Sequence, residues 1–115
     1  MTAPDTPAIG SEEWLAAQGA VARPYHGAPY VIDVVVNGDR SGEGVTYHIS
    51  LEDGVAPRFG AGPAPVATAA TLELTRSDAE AQRAAGVSPV VGYMRGTTKT
   101  KGATRPLYEL FRLFA

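Results

Sequence analysis

The stretch YVIDVVV, Tyr30 to Val36, narrows the possible folds of this chain most. Five of its seven residues are Val or Ile. Branching at Cβ stiffens the side chain and suits a pleated strand. Near-continuous apolar content predicts a strand covered on both faces, hence a central one. After the glycine-rich turn NGDRSGEG, the segment VTYHISL alternates cleanly. Val45, Tyr47, Ile49 and Leu51 face one way, and Thr46, His48 and Ser50 the other. The chain is therefore committed to a sheet with one apolar face, which needs a second layer to cover it.

The remaining segments supply that layer. Residues 1–10 read as a flexible leader, and 11–115 as a single domain. Ser11 predicts a helix N-cap, with Glu12 and Glu13 in the first turn, where the dipole favours negative charge. Glu52–Gly54 predicts a tight hairpin, and VAPRFG a short third strand that Pro57 relegates to an edge. ATLELT alternates again, with Leu72 and Leu74 inward. Ser77 and Glu80 form a capping box pattern, and Gly86 a helix stop. SPVVGYM predicts another helix, capped by Ser88, with Val87, Val90, Val91 and Met94 on one stripe. MRGTTKTKG predicts a strand without an apolar side. TRPLYELFRLF places Leu107, Leu110, Phe111 and Phe114 on one face of a closing helix. The order of elements predicts an α+β fold, one sheet with helices mainly on one face.

Composition removes several function classes. The chain has 115 residues, a net charge of −2 and no cysteine. A length like this can bury roughly two-thirds of the unfolded surface without staples. The charge offers no global attraction to nucleic acid or anionic membranes. No apolar run approaches the roughly 20 residues that span a bilayer, so stable membrane insertion is not expected. The N-terminus has no signal-peptide pattern, and a cytoplasmic location is the expectation. Without cysteine there is no thiol nucleophile or Cys-zinc site.

Catalytic patterns are equally thin. His26 and His48 lie far apart, and His48 points away from the apolar side of its strand. Glu52 and Asp53 are adjacent in a turn, where Asp commonly binds backbone. Neither a metal-ligating pattern nor a usable phosphate loop is present, so no cofactor, metal or catalytic residue is expected. Lys99 and Lys101 share a face near Arg95. They read either as a small cationic patch or as lysines that protect an edge strand from pairing with another chain.

From about Val31 onward the chain resembles the sterol carrier protein 2 family. The resemblance rests on YHISLEDGVAPRFGAG, ATLELTRSDAEAQRAAG and SPVVGYMRGTTKTKGATRPLYEL, in that order. Gly96 and Gly102 match the family's bracketing glycines, and Lys99 and Lys101 its basic positions. Thr98 and Thr100 depart from the pattern, standing where aliphatic residues are common. The resemblance implies a twisted, mainly antiparallel five-stranded sheet covered by helices, with an apolar tunnel between sheet and helices. It implies a non-enzymatic carrier for a hydrophobic small molecule such as a fatty acyl chain or sterol.

On that reading the lining is Ile49, Leu51, Leu72, Leu74, Val91, Met94, Leu107, Leu110 and Phe111. Tyr47, Tyr93, Thr98 and Thr100 are polar contacts. Buried hydroxyls want partners, so Thr98 and Thr100 imply a ligand with polar groups or a wetter cavity, or else an exposed rim. Two other classes stay open: an enzyme that shapes a polyketide-like hydrophobe in its cavity, and a structural module that dimerises or docks a partner.

Overall fold

The computed structural model describes residues 7–21, 23–85 and 96–114. Its strands are β1 (Tyr30–Asn37), β2 (Val45–Leu51), β3 (Arg58–Ala61), β4 (Ala70–Thr75) and β5 (Lys99–Gly102). Its helices are α1 (Glu12–Val21), α2 (Arg76–Ala85) and α3 (Thr104–Phe114). The expected helix over SPVVGYM lies outside the described residues.

The strands form one sheet in the order β3-β2-β1-β4-β5, so β1 is central. β1 pairs antiparallel with β2 and parallel with β4, while β3 and β5 are antiparallel edges. The period-2 pattern decides which side is inner. Ile32, Val34 and Val36 of β1 are buried, and their register partners include Ile49, Ala70, Leu72 and Leu74. Ala79 of α2 and Leu107 of α3 join them in one core, with Ile9 and Tyr25. Trp14 of α1 packs edge-on against Tyr47, with ring centres 5.0 Å apart.

The outer face is only half-buried, and the connector 62–69 is what covers it. Asp33 and His48 are cross-strand partners on this face. Asp33 Oδ1 accepts the Ala64 amide at 2.9 Å. His48 Nδ1 lies 2.9 Å from the Gly62 carbonyl oxygen, which can only accept, so Nδ1 carries the proton. The imidazole lies over Gly60, its partner on β3; a Cβ there would come within 2.4 Å of the ring.

Three local outcomes differ from the sequence reading. Ser11 Oγ does accept the Trp14 amide at 3.2 Å, as an N-cap should. At α2, however, Thr75 Oγ1 accepts the Asp78 amide at 3.1 Å, and the Ser77 amide goes to Asp39 at 2.8 Å. Ser77 thus lies inside the helix rather than capping it. The loop between β2 and β3 is wider than a tight hairpin, because Tyr25 intervenes. Its amide donates to Val55 O and its carbonyl accepts from Gly54 N, both at 2.8 Å. Gly54 turns there with φ +83°, a conformation that favours glycine. Finally, residues 7–10 pack onto the body. Ile9 is buried, and Arg83 donates to the Pro7 carbonyl at 2.7 Å.

Candidate functional site

The inner face of the sheet and the helices over it bring most of the candidate residues together. Ile49 and Leu51 are both buried on β2, and Leu72, buried on β4, stands across Val34 of β1 from Tyr47. Leu74, next along β4, is half-buried and packs against the core. Leu107 descends from the first turns of α3 into the same layer. Val91, Tyr93 and Met94 lie outside the described residues, as do the side chains of Leu110 and Phe111.

The two threonines are held differently. Thr100 stands opposite Leu72 on β5 and is half-buried. Thr98 precedes the strand and is only 4% exposed. It is not at a solvent-facing rim. Its hydroxyl has a protein partner: Gln82 Nε2 of α2 donates to Thr98 Oγ1 at 3.3 Å. The sequence reading passed over Gln82. The signal was present, since Gln82 follows the buried Ala79 by three residues and so shares its helix face.

Tyr47 is another of the expected polar contacts on this side. It stands between Trp14 and Phe59, whose ring centres lie 5.0 and 6.4 Å from its own. Burial pushes its phenol well above the ordinary tyrosine value. Its hydroxyl makes no hydrogen bond among the described residues. All three rings keep some accessible surface although α1 lies over β3 and β2.

Lys99 and Lys101 occupy the opposite, outer face of the edge strand. Lys101 Nζ is 3.8 Å from Glu73 of β4, and both lysines are exposed. Asp53 accepts the Gly27 amide at 3.1 Å and lies 3.6 Å from the exposed His26 ring, a tie between the loop before β1 and the loop after β2. Among the described residues no group of three or more His, Asp or Glu could hold a metal ion. No described helix is long and apolar enough to cross a membrane.

Comparison of the sequence with protein-family models and with curated proteins gives no match. Solved structures do match. The palmitated sterol carrier protein 2-like protein of Aedes aegypti superposes over 90% of this chain and 88% of its own, with a TM-score of 0.64 at 16% identity. The fold is that of sterol carrier protein 2. Apo sterol carrier protein 2 from Yarrowia lipolytica shares it over 70% of this chain and 67% of that one, with a TM-score of 0.51 at 19% identity. A stereoselective inverting sec-alkylsulfatase from Pseudomonas sp. also contains it, over 74% of this chain but only 13% of that enzyme, with a TM-score of 0.52 at 20% identity. In this sterol-carrier fold, the inner face of β1, β2 and β4 and the helices facing it are the candidate site.

Proposed function

We propose that this protein is a non-catalytic carrier that holds a hydrophobic small molecule between the inner sheet face and the helices. The observation that carries the reading is the sterol-carrier fold, one of whose solved examples is palmitated. Trp14, Tyr47, Phe59 and Leu74 support it, because each is apolar or aromatic, faces the core and is only partly buried. The driving force is apolar area removed from water, at roughly 25 cal/mol per Å² before ordering costs. Tyr47 and Thr100 offer hydroxyls on that side, which favours a guest with a polar group along its length over bare hydrocarbon. The assignment of Ile49, Leu51, Leu72, Leu74 and Leu107 as lining belongs to this proposal, as does a role inside the cell.

The test uses the chain's single tryptophan. Delipidated protein is titrated with palmitate while Trp14 emission is followed, and a fluorescent fatty acid is then competed against palmitate. One-to-one saturation, mutual displacement and recovery of unaltered palmitate support the carrier. An unchanged emission with no saturable displacement defeats it.

A further inference from the structure

We propose a second site, on the outer face of the sheet, that takes a small organic ammonium ion with a compact apolar body. This site is separate from the inner layer and does not depend on it. An open groove of about 580 Å³ runs between the start of β1, the end of β2 and the connector 62–69. That volume suits a small ligand. Val31 and Ser50, partners across the β1–β2 ladder, both line it. Pro65, Val66 and Thr68 contribute from the connector. Val66 leaves 58% of its surface in water, although most of the large apolar residues described are buried or half-buried.

The groove is built rather than incidental. Its connector is tied to the sheet by Gly62 N on Thr46 O at 2.9 Å, Gly62 O on His48, Ala64 N on Asp33, and Ala69 N on Val31 O at 2.8 Å. Two of these bonds use the outward side chains of Asp33 and His48 and the others are backbone to backbone; together they hold the loop and so fix the shape in advance of any ligand.

The polar groups around the groove define its chemistry. The hydroxyls of Ser50 and Thr68 make no hydrogen bond among the described residues. Both can accept. Glu52 adds a carboxylate, and no Lys or Arg side chain lines the groove. Glu52 does meet Arg58 at 3.4 Å, but both side chains are more than half exposed, and such pairs are weak. An anion would find no cation in this lining. A ligand with several N–H donors, one positive charge and an apolar body matches acceptors, carboxylate and valines together.

The experiment is an amide NMR titration of the full chain with 2-phenylethylammonium, beside its neutral near-isostere 2-phenylethanol. The expected result is saturable shifts at Ser50, Val66 and Thr68, with the ammonium bound about three- to fivefold more tightly than the alcohol. Glu52→Gln, an exposed change that leaves the melting temperature in place, removes that preference. Equal binding of amine and alcohol, an unaffected Glu52→Gln variant, or shifts located elsewhere each overturn the site. A palmitate titration of the same sample reports on the inner layer through Trp14, so failure of either site is distinguishable from failure of the other.

Discussion

The carboxylate of Asp39, in the turn after β1, accepts the amide of Ser77 at 2.8 Å across 38 positions of sequence. Its other oxygen accepts both the Ser41 amide at 2.8 Å and the Ser41 hydroxyl at 2.7 Å. One exposed side chain thereby completes a turn and the start of α2. The hydrogen bonds from Ser77 and Ser41 hold its carboxyl far below the usual carboxylate range. Because the folded value is depressed, the stabilisation is present at pH values above the free carboxylate's. It is lost as pH falls toward the folded value. Asp39→Ala should therefore lower the melting temperature at pH 7, and the gap to wild type should narrow on acidification below about pH 4. Thermal melts of both proteins between pH 7 and pH 2 check this; a gap that widens in acid contradicts it.

A methyl group at position 60 has no room. Gly60→Ala places a Cβ against the His48 ring, which must leave its bond to Gly62. Overpacking of this kind costs about 1–3 kcal/mol. In urea unfolding, Gly60→Ala should be destabilised by that amount. Adding His48→Ala should recover part of it, since the clash then has no second party.

Gln82 and Thr98 should behave as a pair. Removing one partner leaves a buried polar group unsatisfied, at about 1–3 kcal/mol. Thr98→Val and Gln82→Leu should each lower stability. The double variant should lose less than the sum of the two, because neither group is then stranded. Additive losses in a double-mutant cycle would show that the 3.3 Å contact carries no coupling.

The N-terminal segment should contribute to stability from residue 7 onward. Ile9 is 5% exposed, so Ile9→Ala should cost about 2–4 kcal/mol. Removal of residues 1–6 should cost little if the anchoring begins at Pro7, while removal of residues 1–10 should lower the melting temperature by much more. Equal melting temperatures for the two truncations would count against the Arg83–Pro7 anchor.

How much of this was legible beforehand follows from which patterns are local. The alternation in VTYHISL and the β-branched run in YVIDVVV identified β2 and the central β1, because side chains in a strand change face at every step. The 3.6 period placed Leu107 in the core for the same kind of reason. The partner of β4 was not legible, since alternation orients a strand without saying what lies beside it. Nor was the bond from Gln82 to Thr98, which joins two segments that each read plausibly alone. Ser77 failed as a cap because Thr75, two residues earlier, already caps the helix by accepting the Asp78 amide. At the candidate site the inward residues were readable. The distinction between a filled and a hollow interior was not, because both share one hydrophobic pattern.

The parallel ladder between β1 and β4 also has a kinetic consequence. β1, β2 and β3 follow one another and can zip as neighbours, closing only short loops. β4 must travel past that whole meander to reach the far side of β1, and β5, which pairs only with β4 among the described strands, has no partner until it arrives. The larger closure entropy falls on that step. Refolding should accordingly be limited by the arrival of the second half of the chain, with substitutions in β4 slowing it more than substitutions in β3.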